Sequence, residues 1–113
     1  TVGHAIEKVS GYGTYLHGEA VSIGMMVAAR IAENLGMIDA DLVDRQRRVL
    51  ESYGLPVKAL GLNVDELIDA TKSDKKSRNG TIRWVLLEGP GKATTRSDVP
   101  DEIVRKAILS VIS

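Results

Sequence analysis

The chain has no cysteine among its 113 residues. This excludes disulfide bonds and thiolate metal sites, and it is compatible with a reducing cytoplasm. An excess of charge is also absent, because 15 lysine and arginine residues balance 15 aspartate and glutamate residues. A chain without net charge offers no broad electrostatic surface to nucleic acid or to an anionic membrane. Any partner therefore has to be recognised by a local group of residues.

Long hydrophobic runs are missing as well. The apolar run 23–29 ends at Arg30, far short of the ~20 residues that a membrane-crossing helix needs. The N-terminus lacks the basic start and the small-residue cleavage site of a signal peptide. The first residue is Thr1 rather than methionine, and apolar residues begin at Val2 without a capping residue before them. We therefore expect the chain to be a piece of a longer protein.

The composition, with 43% hydrophobic and 27% charged residues, is ordinary for a soluble globular domain with one core. Apolar spacing and capping residues predict helices over 2–9, 18–35, from Asp39 or Asp41 to about 53, from Asn63 to about 70, and over 100–112. β-Branched and aromatic residues predict a strand over 81–87 that returns over 92–96 as a hairpin. The predicted fold class is mainly α, a helical bundle-like domain with one small β-hairpin.

The second predicted helix has almost no polar side. Between Ala20 and Ala29 only Ser22 is polar, and a helix that is apolar on all sides belongs in a core. Gly24 in its middle costs about 1 kcal/mol of helix propensity relative to alanine, which indicates that another backbone or a ligand packs closely there. The third helix is expected to turn four side chains inward, namely Leu42, Val49, Leu50 and Tyr53.

The two histidines, His4 and His17, are the candidates for a ligand site. Neutral imidazole is a good ligand for zinc and related metals, but a metal site needs three or four converging groups. His17 is the better candidate, because it stands between a loop held by Gly11 and Gly13 and the start of the second helix. The alternative is that one histidine caps a helix and the other packs near the surface.

Charged residues around this region have two interpretations each. Glu7 and Glu19 either fix histidine tautomers or stabilise helix N-termini, and the second role is favoured for Glu19. The polar segment 73–80 is predicted to be a loop that ends in a turn. Its Lys75 and Lys76 either bind a phosphate or carboxylate group or are simply solvated.

Several motifs follow one another in a distinctive order along the chain. They are Gly3-His4-Ala5-Ile6-Glu7, Gly11-Tyr12-Gly13, Leu16-His17-Gly18-Glu19-Ala20-Val21, Gly24-Met25, Gly54-Leu55-Pro56 and Asp74-Lys75-Lys76 with Gly80. In this order they resemble the C-terminal domain of 3-dehydroquinate synthase, over nearly the whole chain. The resemblance implies that residues 1–113 are the helical metal- and substrate-binding domain of a larger enzyme whose N-terminal NAD-binding domain is absent.

The resemblance also implies an activity and its cofactors. Enzymes of this family are cytoplasmic carbon-oxygen lyases of the shikimate pathway, and they are commonly homodimers. They convert 3-deoxy-D-arabino-heptulosonate 7-phosphate to 3-dehydroquinate and phosphate, using NAD and a divalent metal, zinc or cobalt. The implied partner is thus a small sugar-acid phosphate, with no role for nucleic acid or membrane. No residue of this chain is assigned to NAD, and the isolated fragment is expected to be inactive.

By the same resemblance, His17 is a metal ligand, His4 contacts the substrate, and Lys75 or Lys76 reaches the substrate's acidic groups. The family's first metal-binding histidine would stand one residue before this chain begins, and its glutamate ligand further upstream. Relatives with the same framework are other sugar-phosphate cyclases and metal-dependent polyol dehydrogenases, although the dehydrogenases usually repeat histidine where this chain has Glu7. A stand-alone helical interaction domain is the alternative of a different class.

Overall fold

The structure, a computed structural model, describes residues 2–11, 13–77 and 82–112, and of residues 73–77 it describes the backbone only. Within these residues the order of elements is α1 (Val2–Ser10), α2 (His17–Asn34), α3 (Ala40–Ser52), α4 (Val64–Ser77), β1 (Trp84–Gly89), β2 (Lys92–Arg96) and α5 (Asp101–Ile112). The strands form an antiparallel hairpin in which Trp84 pairs with Arg96 and Leu87 with Ala93. The prediction of a mainly α fold with one small hairpin is confirmed.

Two helices begin at side chains that cap them. Asp39 accepts a hydrogen bond from the Leu42 N–H at 3.0 Å and begins α3. Asn63 accepts one from the Glu66 N–H at 3.1 Å and begins α4. Each side chain supplies a partner that the first turn of a helix lacks. The sequence predicts both caps, with Asp39 as one of two choices.

Helix α2 runs through the centre of the fold and packs against α1, α3, α5 and β1. Its inner face contributes Ile23, Val27 and Ile31, which are fully buried. The prediction that α2 is buried on all sides is wrong, because Val21 and Met25 are 42% and 43% exposed on another face. Neither α2 nor any other helix in the described ranges is long and apolar enough to cross a bilayer.

Helices α1 and α2 cross at very short range, because each carries a glycine at the crossing. A Cβ added to Gly24 would lie 3.1 Å from the backbone nitrogen of Gly3, and one added to Gly3 would lie 3.2 Å from the Ala20 carbonyl oxygen. Both distances are tighter than ordinary van der Waals contact. The prediction that another backbone packs at Gly24 is confirmed, and the crossing brings α1 next to the start of α2.

The bounds of α4 and β1 differ from the prediction. Helix α4 continues through Ser77, so the predicted loop is wrong for residues 73–77, while residues 78–80 lie outside the described part of the chain. Helix α4 packs against α1 and α5, and tertiary packing of this kind stabilises helices beyond their intrinsic propensity. Strand β1 begins at Trp84 rather than at residue 81.

The inner face of α3 also differs from the prediction. Val43 and Leu50 are buried, whereas Val49 and Tyr53, predicted to face inward, are 55% and 79% exposed. Leu42 is half-buried. Residues 43 and 50 are seven apart and share one side of the helix, and residues 49 and 53 share another. The spacing is helical for both pairs, so only packing selects the buried one.

Candidate active site

A short loop between α1 and α2 leads to His17. Gly11 and Gly13 have positive φ angles of 87° and 100°, a conformation that glycine adopts without steric cost. The Thr14 N–H donates to the Gly11 carbonyl at 3.1 Å and closes a turn. The next element, α2, has His17 as its first residue. The prediction that His17 lies between a glycine-held loop and a helix start is therefore confirmed.

Glu19 stabilises the beginning of α2. Its carboxylate accepts a hydrogen bond from the Leu16 N–H at 2.8 Å. A negative group in the first turn also complements the positive end of the helix dipole. The helix-end role, which the sequence favours for Glu19, agrees with this contact.

The two histidines meet across the crossing of α1 and α2. The ring centroids of His4 and His17 lie 6.3 Å apart, with the ring planes tilted by 33°. Nδ1 of His17 lies 3.3 Å from Oε1 of Glu7 on α1. An ionised carboxylate only accepts hydrogen bonds, so this contact requires a proton on Nδ1. In the neutral ring, the Nε2 lone pair is then available to a metal.

Both histidines line a cleft with a volume of about 310 Å³. The cleft is formed by α1, α2 and the start of β1, and its lining consists of Val2, Gly3, His4, His17, Val21, Gly24, Met25, Ala28, Arg83, Trp84 and Val85. Positions 17, 21, 25 and 28 recur at helical spacing, so one face of α2 forms a wall. A mostly apolar cleft of this size with a few polar groups is typical of small-molecule sites.

Val21, Met25 and Arg83 line the cleft although the sequence predicts no site role for them. Val21 and Met25 are predicted to lie in the core, although Val21 follows His17 by four residues and Met25 follows Val21 by four, a signal that they share its face. Arg83 brings a cation to the cleft, and no local pattern marks it. It reaches the cleft because β1 packs against α2, a contact between segments that are distant in sequence.

Lys75 and Lys76 lie near the C-terminal end of α4. Their side chains are outside the part that the structure describes, so their contact with a substrate stays a prediction. The helix that carries them packs against α1, which carries His4 and Glu7.

His17 fits a metal site as one donor, through Nε2. Among the side chains that the structure describes, those of residues 2–11, 13–72 and 82–112, no three from histidine, cysteine, aspartate or glutamate converge in a way that could hold a metal ion. Protein zinc sites use three or four such donors. A complete site therefore needs donors in addition to those that the structure describes.

A second, larger depression of about 500 Å³ lies between the α2–α3 connection and the turn of the hairpin. Asp39, Arg45 and Glu88 are among its lining residues. Both histidines of the chain line the smaller cleft instead. Since imidazole is the group with the specific ligand chemistry, we assign the candidate site to the smaller cleft.

Comparison with known proteins identifies the family. Residues 1–77 match the family model described as 3-dehydroquinate synthase C-terminal. The chain belongs to this family. The 3-dehydroquinate synthases of Nitrosospira multiformis and Thermoanaerobacter pseudethanolicus are both 44% identical to it, over 108 and 105 residues. These matches cover 96% and 93% of the chain, which spans about 30% of the length of each synthase.

Solved structures share the fold of this chain. The 2-epi-5-epi-valiolone synthase of Streptomyces hygroscopicus subsp. jinggangensis, bound to NAD+ and Zn2+, matches with a TM-score of 0.85 at 27% identity. The match covers 97% of the chain and 31% of that synthase. A 2-deoxy-scyllo-inosose synthase matches with a TM-score of 0.77 at 24% identity, which shows the fold alone, over 98% of the chain and 33% of that synthase. The relatives are thus 3-dehydroquinate synthases and related cyclases.

Proposed function

We propose that this chain is the C-terminal metal- and substrate-binding domain of a 3-dehydroquinate synthase. The observation that carries the proposal is that His4 and His17 line one cleft, with the Glu7 carboxylate next to Nδ1 of His17. The 44% identity to two 3-dehydroquinate synthases supports the choice of reaction, the release of phosphate from 3-deoxy-D-arabino-heptulosonate 7-phosphate. The NAD-binding domain would lie in the part of the relatives that this chain does not cover.

His17 is the residue of this chain that would hold the divalent metal, with zinc or cobalt as the candidates. Its Nε2 is the donor, because Nδ1 faces Glu7. When bound, the metal supplies a Lewis acid for the hydroxyl that is oxidised, and NAD supplies a hydride acceptor. The further metal ligands would come from residues outside this chain, which agrees with the lack of a group of three candidate ligands among the described side chains.

The substrate carries a phosphate and a carboxylate, so the site needs hydrogen-bond donors and cations. Arg83 lines the cleft, and a guanidinium binds phosphate or carboxylate oxygens through two parallel N–H groups. His4 is proposed to contact the substrate, which its 6.3 Å ring distance from His17 supports. Lys75 or Lys76 is proposed to reach an acidic group of the substrate from the end of α4. Together these groups would orient the substrate for elimination and ring closure.

Another sugar-phosphate cyclase is the second candidate. The fold match to the valiolone synthase, at a TM-score of 0.85, favours this broader class. The identity to that synthase is 27%, below the 44% shared with 3-dehydroquinate synthases, which ranks the first candidate higher. Substrate choice would depend partly on residues outside this chain.

A phosphate-release assay tests the reaction. We expect the full-length protein, supplied with NAD+ and Zn2+, to release phosphate from 3-deoxy-D-arabino-heptulosonate 7-phosphate and to form 3-dehydroquinate. No phosphate release from this substrate, with the protein folded and metal-loaded, would refute the proposed reaction.

The two histidines provide a matched pair for the metal role. We expect His17→Ala to weaken Zn2+ binding by at least ~100-fold, because losing an outer-shell partner alone typically costs 10–100-fold. His4→Ala should keep its metal and lose turnover, since His4 is proposed to contact substrate. Metal content after dialysis, measured by atomic emission, separates the two variants. A His17→Ala protein with full metal occupancy would show that His17 is not a ligand.

A further inference from the structure

The position of Glu7 within its helix requires an explanation. Glu7 lies in the C-terminal half of α1 (Val2–Ser10), which has no acidic residue in its first turn. A carboxylate there is not stabilised by the helix dipole, whose negative end is nearby. The helix-end role, one of the two interpretations that the sequence leaves open, therefore does not account for Glu7.

The surroundings of Glu7 point to His17. The Glu7 side chain is 16% exposed, whereas the His17 side chain is 70% exposed. A carboxylate that is largely withdrawn from water needs a hydrogen-bond donor. Nδ1 of His17, at 3.3 Å from Oε1, is such a donor when it carries the proton. The more buried Glu7 carboxylate thus restrains the more exposed His17 imidazole.

The close packing of α1 on α2 fixes the positions of Glu7 and His17 relative to each other. Glu7 is on α1 and His17 begins α2. These helices touch through Gly3 and Gly24, where an added Cβ would meet backbone at 3.2 Å and 3.1 Å, respectively. Helices in such close contact cannot slide or rotate without a clash. The carboxylate therefore approaches Nδ1 from a defined direction, and Nε2 on the opposite side of the ring has a defined direction too.

We propose that Glu7 is a positioning residue for His17. Its carboxylate keeps the proton on Nδ1 and holds the imidazole in one orientation, with Nε2 presented as the metal donor. This proposal rests on the metal-ligand role of His17 proposed above. Carboxylate partners of metal-bound histidines act in this way in general, by fixing the tautomer and raising the basicity of the ligand nitrogen.

Three variants of the full-length protein test the proposal through Zn2+ affinity, measured by competition with a chelator. Glu7→Ala is expected to weaken Zn2+ binding by ~10–100-fold. Glu7→Gln keeps an acceptor oxygen and is expected to lose less. Glu33→Ala is the matched control, because it removes a carboxylate at the other end of α2, where Oε1 of Glu33 lies 3.0 Å from a guanidinium nitrogen of Arg30. This variant should bind Zn2+ as the unmodified protein does. Unchanged Zn2+ affinity in Glu7→Ala would overturn the proposal.

The tautomer of His17 provides a readout that does not need metal. In metal-free protein labelled with ¹⁵N-histidine, the NMR shifts of the ring nitrogens report which nitrogen carries the proton. The His17 signal is assigned by its loss in His17→Ala. We expect the Nδ1–H form in the unmodified protein and a mixture of tautomers in Glu7→Ala. A mixture already present in the unmodified protein would overturn the proposal. If His17→Ala retains its metal while the tautomer is fixed by Glu7, the proposed metal role fails and the pairing stands.

Discussion

Ser22 is a buried polar residue in the middle of the central helix. It is 1% exposed, and its hydroxyl donates to the Pro56 carbonyl at 2.7 Å. A buried hydroxyl needs a partner, and the carbonyl of the half-buried Pro56 provides it. This contact connects α2 to the segment between α3 and α4.

Replacement of Ser22 should therefore be costly. We expect Ser22→Ala to lower the free energy of unfolding by about 1 kcal/mol, the usual net contribution of one hydrogen bond, because the half-buried Pro56 carbonyl loses its donor. The control is Ser52→Ala, which removes an exposed hydroxyl that donates to Val49 within its own helix at 2.7 Å, with an expected change within about 0.5 kcal/mol. Urea titrations compare the two. Equal losses would show that the bond to Pro56 adds nothing beyond a local helix contact.

At the same scale, the site was predictable only in part. His4 and His17 stand out in the sequence because the chain has two histidines and one of them follows a glycine-held loop. The partner of His17 does not stand out, since Glu7 and Glu19 are both carboxylates near a histidine in the sequence. The structure assigns Glu19 to the helix start and Glu7 to His17. That assignment depends on the side chains' directions, which only the packing of α1 on α2 settles.

At the scale of elements, the crossing of α1 and α2 is the contact that forms the site. Gly24→Ala should destabilise the protein, because the new Cβ would lie 3.1 Å from the Gly3 nitrogen. A backbone atom, unlike the end of a flexible side chain, cannot move away without shifting its helix. Overpacking costs about 1–3 kcal/mol and the gain in helix propensity offsets about 1 kcal/mol, so we expect a net loss of up to about 2 kcal/mol. Unfolding in urea provides the measurement.

Gly18 in the same helix is the matched control for Gly24. Apart from the adjacent residues and the backbone of its own helix turn, a Cβ at Gly18 would have no atom within 4 Å. We therefore expect Gly18→Ala to leave the free energy of unfolding unchanged or to raise it by up to about 1 kcal/mol. If Gly24→Ala proved the more stable variant, the crossing would be looser than the structure indicates.

Helix positions follow from spacing, whereas helix faces do not. The predicted second helix agrees with α2 to within one residue at each end. Its face with Val21 and Met25 is nevertheless exposed at the cleft, and Tyr53 near the end of α3 is exposed where burial was predicted. Helix α2 itself carries apolar residues on every face. Its hydrophobic periodicity therefore cannot identify the face that neighbouring elements leave uncovered.

At the scale of the whole molecule, the core extends beyond the region that the family model matches. The family model matches residues 1–77. Helix α5 (Asp101–Ile112), which lies beyond this range, packs against both α2 and α4. Ile108 is fully buried. The Ala59 N–H donates to the Val111 carbonyl at 2.8 Å and fastens the end of α5 to the α3–α4 connection. The last helix is thus part of the single core that supports the cleft.

A cavity in α5 should consequently weaken the whole domain. We expect Ile108→Ala to lower the free energy of unfolding by about 2–5 kcal/mol, since it removes buried methyl groups and leaves a cavity. The neighbouring Leu109 is 42% exposed, and Leu109→Ala should cost clearly less. Thermal and urea unfolding of both variants test this. A loss for Ile108→Ala no larger than that for Leu109→Ala would show that α5 is peripheral.

The sequence by itself determined the order and type of the elements, the cap at Asn63, a choice of two caps for α3, and the family of this protein. These depend on local chemistry: apolar residues recur at a helical period, a capping side chain reaches three residues along the chain, and the motifs stand in one order. Only the tertiary structure decided that Glu7 pairs with His17, that Arg83 joins the histidines at the cleft, and that one face of α2 stays open. These features require segments distant in sequence to meet, and their meeting depends on how the helices and the hairpin pack.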